Sequence, residues 1–383
     1  MKINKLTSVL VALGVVSLAS VASAQNTVYI TGSTAFRPAA YQAIYNLFSP
    51  APSVAAFSAA NATDPSGASQ MQFTGNIGGT AYVITANWSG SEGGIADLVS
   101  GGNENFLPVG TAPGTNTTAY AGGTTAHTVD FAFADNLQSF SKNPSPALTG
   151  KEIGVIPFVW VKNNNTVANP ADWARIVNVS DAEVRADLKV GGILAAQFTG
   201  NVNDTTNYVY VAGRDNNSGT RVNTFADIGY GIKTLANQVL IGGANGAPTL
   251  TATTSGQASG GTVAKSLGFS GSIASNDPIN GQTGWYAIGY LGMYDADTAL
   301  GLGAVLLSYD GVTESTAAIQ NGQYSFWGNE YFYEASTLDA GASTVFGLLT
   351  PAAFGAAVDG IHTISLTSMN ATRNGPTSDP LHN

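Results

Sequence analysis

Three times, the sequence passes from a strand-like segment through a turn of small residues into an amphipathic helix. The three turns read YITGST at 29–34, NWSGSEGG at 87–94 and VAGRDNNSGT at 211–220. Alternating strands and helices are typical of α/β layers. Each helix start leaves backbone N–H groups without intrahelical partners and carries about half a positive charge from the helix dipole. If the three starts converge, they can bind an anion with almost no lysine.

The strand candidates are short segments that alternate apolar and polar residues or form apolar runs. They lie at 27–31, 82–88, 129–134, 153–162, 208–212, 285–293 and 304–308. Amphipathic spacing behind Ser or Thr predicts helices at 33–48, 91–100 and 218–235. Tracts rich in Gly, Ser, Thr and Ala at about 52–80, 101–128 and 242–283 predict long surface loops or irregular hairpins.

The first 24 residues have the pattern of a secretory signal peptide. Two lysines precede an apolar run at 6–21, and the small residues ASA at 22–24 predict cleavage after Ala24. The run is too short and too rich in serine for a membrane span. We therefore expect an exported protein, periplasmic or secreted, with no direct membrane anchor.

The chain is poor in charge and lacks cysteine. Charged residues make up 10% of it, against about 25% in an average soluble protein. Without the two leader lysines, 12 basic residues remain against 24 acidic ones. This balance excludes a nucleic-acid partner, because phosphate-backbone affinity needs many Lys and Arg on one face. The absence of cysteine excludes disulfides, thiolate nucleophiles and thiolate metal sites.

Signatures of enzymes are missing from the sequence. Ser91 lacks the GxSxG context, no HExxH is present, and Lys151 is followed by Glu, so TGKE is not a P-loop. Asp295 and Asp297 in YDADTA are assigned to a solvated loop rather than to a calcium site. We expect a protein that is not an enzyme and needs no cofactor and no metal. A secreted phosphatase is the enzymatic alternative that an assay would test.

Seven segments, taken in order, resemble the phosphate-binding proteins of bacterial ABC transporters. They are GSTAFRPA, SGSEGGIADLVSGG, DFAFADN, IGVIPFVWVKN, GRDNNSGTRVNTF, GWYAIGYLGM and AAIQNGQYSFWGNEYFY. The resemblance covers nearly the whole chain after the leader, and its most specific part is the Arg-x-x-x-Ser-Gly-Thr spacing. Such proteins have a two-lobed, periplasmic-binding-protein-like α/β fold with the ligand cleft between the lobes. The resemblance implies that fold here, with 25–157 plus 289–383 as lobe I and 158–288 as lobe II.

The resemblance also implies a set of ligand-binding residues contributed by both lobes. Thr34 donates from the start of the first helix, with Phe36 just beyond it, and Ser91 donates from the second helix. The clamp from the other lobe consists of Arg214, Ser218, Gly219 and Thr220.

Asp135 completes the set as an acceptor that ends the strand VDFAFAD. Monobasic and dibasic phosphate still carry protons and can donate to a carboxylate, whereas sulfate cannot. An unsatisfied buried polar group costs about 1–3 kcal/mol, and more if it is charged. Asp135 therefore predicts selection of a protonated oxyanion.

Two positions depart from the common pattern of the family. Ala35 is inserted between Thr34 and Phe36, which would shift the first donor by one residue. Glu92 stands where a small residue is usual, and its carboxylate would either crowd an anion or face solvent.

The resulting hypothesis is a monomeric solute-binding protein that captures inorganic phosphate and delivers it to an ABC permease in the inner membrane. The alternative is an extracellular structural or adhesive protein that keeps the two-lobed fold without ligand transport. The long Gly/Thr/Asn-rich tracts favour that alternative, and the joint presence of the proposed ligand residues opposes it.

Overall fold

The computed structural model describes residues 25–59, 61–164, 170–271, 279–282, 284–360, 362–373 and 381–382. The predicted signal peptide lies outside these ranges. Within them, no helix combines the length and the apolar character needed to cross a membrane.

Strands and helices alternate along most of the described chain. The strands are β1 (Asn26–Gly32), β2 (Ser53–Phe57), β3 (Gln70–Ile77), β4 (Thr80–Asn87), β5 (Asn103–Phe106), β6 (Gly114–Thr115), β7 (Thr125–Thr128), β8 (Phe131–Ala134), β9 (Thr149–Lys162), β10 (Asn178–Val179), β11 (Ile193–Leu194), β12 (Tyr208–Ala212), β13 (Gln238–Ala244), β14 (Ala247–Thr253), β15 (Tyr286–Gly292), β16 (Val305–Tyr309), β17 (Trp327–Glu334), β18 (Ala371–Thr372) and β19 (Leu381–His382). The helices are α1 (Arg37–Tyr45), α2 (Ser91–Ser100), α3 (Pro170–Arg175), α4 (Asp181–Val190), α5 (Ala195–Thr199), α6 (Gly219–Asp227), α7 (Gly260–Leu267), α8 (Met293–Gly301), α9 (Thr316–Gln320), α10 (Ala340–Leu348) and α11 (Pro351–Gly355).

One 13-stranded sheet carries most of the strands, in the order β11-β12-β15-β9-β17-β8-β1-β4-β3-β2-β6, and outside this order β16 pairs with β9 and β10 pairs with β16. β1 runs parallel to both β4 and β8. The carboxyl ends of these three strands therefore meet at one edge of the sheet. Helices α1 and α2 begin just beyond that edge, and Asp135 follows β8 directly.

The long strand β9 changes partners halfway along its length. Its residues from Thr149 to Pro157 pair with β17, whereas those from Phe158 to Lys162 pair with β15. This change falls at the first chain crossover that the resemblance implies. The lobe boundaries at 157/158 and 288/289 stay a prediction.

Each predicted strand overlaps an observed one, but the third helix is shorter than predicted. Helix α6 ends at Asp227 instead of 235, and Gly229 and Gly231 follow it with left-handed φ values of 64° and 96°. Glycine adopts that conformation readily, so the chain turns there. The amphipathic spacing alone did not reveal this stop.

Of the two alternatives predicted for the small-residue tracts, long surface loops and irregular hairpins, the structure favours the second, because all three tracts contain residues of antiparallel strand pairs. The tract at 52–80 contains β2 and β3, and β3 pairs with β4 along its whole length. The tract at 242–283 contains most of the β13-β14 hairpin and helix α7. In β3, Met71, Phe73 and Ile77 do alternate with polar residues, whereas the small residues of β2 show little pattern of their own. Their stability comes from pairing with neighbouring strands and from burial, which sequence alone does not display.

Candidate ligand-binding site

The three helix starts that the sequence singles out meet in the folded chain. The start of α2 contacts the loop before α6, because the backbone N–H of Glu92 donates to the carbonyl of Asn217 at 3.0 Å. The start of α1 reaches α6 through Asp135, which accepts from both Ser33 and Thr220. The positive ends of three helix dipoles therefore surround one buried group of side chains.

Two glycines permit this close approach. A Cβ on Gly219 would lie 2.3 Å from Ser91 Oγ, and one on Gly90 would lie 2.4 Å from the carbonyl oxygen of Asn217. Gly90 also has a φ of 95°, which other residues rarely adopt. Any side chain at either position would push the starts of α2 and α6 apart.

Asp135 is the acceptor at the centre of the group. Its Oδ1 accepts from the Ser33 hydroxyl, and its Oδ2 accepts from the Thr220 hydroxyl at 3.2 Å. Its backbone N–H donates to Ser91 Oγ at 3.1 Å, and its carbonyl accepts from Asn223 at 2.8 Å. Asp135 is therefore hydrogen-bonded to residues at all three helix starts, as an acceptor from Ser33 and Thr220 and as a backbone donor to Ser91, and its side chain is buried.

Arg214 lies on the other side of the group and bridges two parts of the chain. Its Nη2 donates to Thr34 Oγ1 at 3.3 Å and to the carbonyl of Ala258 at 3.1 Å, and its Nε donates to the carbonyl of Gln257 at 3.3 Å. The guanidinium is almost fully buried. Because an arginine fork binds oxyanions through parallel N–H donors, this position suits a tetrahedral anion.

A second arginine, which the sequence analysis missed, holds the backbone of Arg214 in place. Arg221 Nη1 donates to the carbonyl of Arg214 at 2.8 Å, and the Arg221 guanidinium lies 4.4 Å from the Phe225 ring centroid. Tyr290 accepts from the Arg214 backbone N–H at 2.9 Å. Arg221 lies two residues after Gly219 in GTR. Its position in the first turn of the predicted helix was the one sequence feature that could have indicated a role near the group.

The remaining predicted residues play different parts. Ser218 begins α6 as its N-cap and accepts from the Arg221 backbone N–H at 3.2 Å. The Phe36 ring lies in the core, 5.8 Å from the Phe133 ring and 5.7 Å from the Phe354 ring. Phe36 reaches the group only through its backbone N–H, which donates to Ser33 Oγ at 3.1 Å. The structure thus brings all eight predicted residues together, except that the Phe36 side chain points into the core.

The two departures from the family pattern have structural explanations. With Ala35 inserted, the hydroxyl that reaches Asp135 belongs to Ser33, while the Thr34 hydroxyl faces Arg214. Glu92 neither crowds the group nor faces solvent. It is buried and accepts from Asn136 Nδ2 at 2.8 Å and from the backbone N–H of Lys142 at 2.7 Å.

Asp295 was wrongly assigned to a solvated loop. It lies on α8 and is buried, with its carboxylate 3.9 Å from the guanidinium of Arg37. Burial raises its pKa, while the positive charges of Arg37 and Arg214 lower it. The YDADTA pattern resembles a loop in composition, but its residues form the first two turns of a helix.

Glu330 is a further acidic residue that the sequence analysis missed. It lies in β17, next to the strand that ends at Asp135, and its side chain is fully buried. Burial raises the pKa of Glu330 well above its usual range, and the negative charge of Asp135 raises it further. A Glu330 side chain that keeps its proton would add no negative charge beside Asp135. The inward position of a glutamate among aromatic residues in WGNEYFYE was the available signal.

We expect Glu330→Gln to remove one source of pH dependence in stability. Unfolded glutamate titrates near about pH 4.3. Below that pH, both the folded and the unfolded chain hold the Glu330 proton, and this titration does not lower the free energy of unfolding. Above it, the unfolded chain releases the proton that the folded chain keeps, so the free energy of unfolding falls by up to about 1.4 kcal/mol per pH unit. This loss ends once the pH passes the raised folded-state pKa.

The melting temperature of Glu330→Gln should therefore exceed that of the wild type near neutral pH, and the gain should shrink toward about pH 4. Thermal unfolding at several pH values measures this. Glu334→Gln, half-buried on the same strand, is the control. A pH-independent difference for Glu330→Gln would contradict a neutral Glu330.

Comparison with known proteins supports the fold. No family model matches this chain, and no curated protein matches it. Among solved structures, it is similar to one from Clostridium perfringens described as a phosphate ABC transporter substrate-binding protein with bound phosphate. The TM-score is 0.50 and the identity 14%, over 89% of this chain and 100% of that one. An ABC-type phosphate transport receptor from Vibrio cholerae aligns with a TM-score of 0.43 and 15% identity, over 84% of this chain and 93% of that one. The first similarity confirms the predicted two-lobed, periplasmic-binding-protein-like α/β fold.

Proposed function

We propose that this protein is an exported solute-binding protein that captures inorganic phosphate. The observation that carries the proposal is the meeting of three helix starts, the Arg214 guanidinium and the Asp135 carboxylate in one buried group. The neighbour from Clostridium perfringens is described with bound phosphate, which agrees with this proposal.

The chemistry of the group suits a tetrahedral anion that still carries a proton. The guanidinium of Arg214 and the hydroxyls of Ser33, Thr34 and Thr220 can donate to the oxygens of the anion. In the structure, the Arg214 guanidinium donates to Thr34 and to backbone carbonyls, and the Ser33 and Thr220 hydroxyls donate to Asp135. A phosphate would take over part of these bonds and donate a hydrogen bond from its own P–O–H group to the Asp135 carboxylate. Sulfate has no such proton and would leave two acceptors facing each other.

Binding and release require the two lobes to separate, since the proposed ligand residues are buried in this arrangement. A hinge about the two crossovers of the chain would open the cleft and close it again. We propose that the protein acts as a monomer, outside the cytoplasmic membrane, and delivers phosphate to an ABC permease. No catalytic step enters this proposal.

Calorimetry with stripped, purified protein tests the proposal. We expect a saturable heat with phosphate and with arsenate, which is also a protonated tetrahedral anion, and a binding constant for sulfate lower by at least about 100-fold. A protein that binds none of these anions would support the structural or adhesive alternative. Equal affinity for phosphate and sulfate would contradict the role given to Asp135.

A further inference from the structure

A polar cavity of about 200 Å³ lies among helices α1, α7 and α8. It is separate from the proposed phosphate site, since neither Arg214 nor Asp135 lines it. Since one water molecule takes about 30 Å³ of liquid, the cavity has room for a molecule of several non-hydrogen atoms. Six serine and threonine residues line it, namely Ser58, Ser69, Thr117, Ser259, Thr262 and Thr298. Its rim reaches solvent, because Thr117 and Thr262 are exposed.

Two buried, oppositely charged side chains line this cavity and have unused hydrogen-bonding capacity. Arg37 is 5% exposed and Asp295 is 4% exposed. Their nearest charged atoms, Arg37 Nη2 and Asp295 Oδ1, are 3.9 Å apart, which is too long for a hydrogen bond. In the described part of the chain, the Arg37 guanidinium donates only from Nε, to the carbonyl of Thr34 at 2.8 Å, and the Asp295 carboxylate accepts no hydrogen bond.

The two side chains restrict which molecule can occupy the cavity. A buried charge is costly unless it is paired and hydrogen-bonded. An occupant that satisfies both Arg37 and Asp295 must therefore present an acceptor to the guanidinium and a donor to the carboxylate. Hydrogen bonds between two charged groups are stronger than neutral ones, so the best occupant carries one negative and one positive group side by side.

The carboxylate and the ammonium of an α-amino acid have the spacing that this pair requires. Standard bond lengths and angles place the nitrogen about 2.7 Å from the nearer carboxylate oxygen. Charge-assisted hydrogen bonds of about 2.8 Å then join that oxygen to Arg37 and the nitrogen to Asp295. These three distances close across the 3.9 Å between Nη2 and Oδ1, so both buried charges receive an opposite charge without any movement of the chain.

We propose that this cavity binds a small polar α-amino acid as a zwitterion, with its carboxylate on Arg37 and its ammonium on Asp295. The serine and threonine hydroxyls on the other walls suit a polar side chain such as that of free serine. The inference goes beyond the proposed function and does not rest on it, because the two sites share no side chain.

Other small molecules fit these residues less well. A simple anion would be attracted by Arg37 and repelled by Asp295, and for a simple cation the two effects are reversed. An apolar molecule would leave both charges without partners. A neutral polyol can hydrogen-bond to both side chains, but each of its bonds lacks the second charge that a zwitterion supplies.

Calorimetry of the wild-type protein with L-serine, L-serinamide and L-glycerate tests the inference. The three molecules have nearly the same size, but the amide lacks the carboxylate, and glycerate has a hydroxyl in place of the ammonium. Titrations at about pH 6.5 keep the amino group of the amide charged. We expect saturable binding of serine, with affinities for the other two lower by at least about tenfold, since each loses one charge-assisted pair.

A cavity-filling variant shows where serine binds. A Cβ on Gly261 would meet only Asp295 Oδ1 at 3.5 Å and Ser259 Oγ at 3.9 Å within 4 Å, so the side chain of Gly261→Leu has space at the cavity. It should lower serine affinity by at least about tenfold and change phosphate affinity by less than about threefold. Gly347→Leu is the matched control, because Gly347 is an exposed helical residue of α10 with nothing within 4 Å of its Cβ position. Thr298→Leu, on the α8 side of the cavity, serves if the first variant does not fold.

Asp295→Asn separates a binding role from a structural one. The substitution keeps the size of the side chain and removes the charge that holds the ammonium. Serine affinity should fall by at least about tenfold, while glycerate affinity should stay the same or rise, because the carboxylate of glycerate is no longer repelled. A merely structural Asp295 would weaken both ligands together.

Several results would overturn the inference. They are a wild-type protein without saturable serine binding, equal affinity for serine and either analogue or glycerol, and a folded Gly261→Leu protein that binds serine as the wild type does. Phosphate titrations of the same proteins keep the two proposals apart. Phosphate binding without serine binding would overturn this inference alone, whereas serine binding without phosphate binding would support it and contradict the proposed function.

Discussion

Arg214→Ala should lower phosphate affinity by between about 30-fold and several thousandfold in calorimetry. Removing one partner of a buried, charge-assisted pair costs about 2–5 kcal/mol, much of which reflects the unpaired charge that remains. Here the loss is compounded, because Arg214 also joins Thr34 on one side of the group to Ala258 on the other. Arg214→Lys should be intermediate, since it keeps the charge and loses the planar fork.

The control for this prediction is Arg185→Ala, whose side chain is 41% exposed, pairs with Asp181 on the surface of α4 and donates to the carbonyl of Ile228 at the far end of α6 from Ser218. That change removes the same charge and should leave phosphate affinity within about threefold of the wild type, since exposed ion pairs contribute little. Melting temperatures of both variants establish that they fold. If folded Arg214→Ala bound phosphate as the wild type does, Arg214 would have no place in a ligand site.

Asp135→Asn is expected to reduce the discrimination between phosphate and sulfate by at least about 100-fold. The asparagine amide has nearly the shape of the carboxylate, but it can donate to an anion oxygen that carries no proton. Phosphate affinity should fall because the acceptor charge is lost, while sulfate affinity should rise. Titrations of both anions against the wild type and the variant measure the ratio directly.

Asp215→Asn provides a matched change of charge for this comparison. Asp215 lies in the turn after Arg214, is half-buried and accepts from the backbone N–H of Asn217 at 3.0 Å. Its removal lowers the negative charge near α6 by the same amount without touching Asp135. Equal effects of the two substitutions on the phosphate-to-sulfate ratio would mean that general electrostatics, and not the Asp135 carboxylate, selects the anion.

Much of the fold around the site was predictable, because strand-turn-helix units have characteristic residues within a few positions of each other. Ser91 and Ser218 stand where a strand ends and a helix begins, and the structure has α2 and α6 starting there. Parallel pairing of β1 with β4 and β8 then brings the ends of these strands together, as the alternation suggested. The strands within the small-residue tracts were harder to locate, since β2 shows no clear period and depends on pairing with β3, whose Met71 and Phe73 do alternate with polar residues.

The charged residues around the group were harder to foresee. Arg37, Asp295 and Glu330 come from α1, α8 and β17, far apart in the sequence, and only Glu330, among the aromatic residues of WGNEYFYE, has a local sequence context that hints at burial. Burial raises the pKa of both acids, and each has its own charged neighbour, Arg37 beside Asp295 and Asp135 beside Glu330. Burial and charge neighbours are properties of the packed chain, so no local pattern carried them.

The sequence by itself determined the α/β character of this protein, the positions of three helix starts and the choice of residue types, including Arg214 and Asp135, that an oxyanion would require. Only the tertiary structure decided which hydroxyl reaches Asp135, that Phe36 turns into the core, and that Arg37 and Asp295 face a common cavity. The physical reason is that helix starts and caps depend on neighbours a few residues apart. The orientation, burial and charge of a side chain depend on whatever the fold brings within a few ångströms of it.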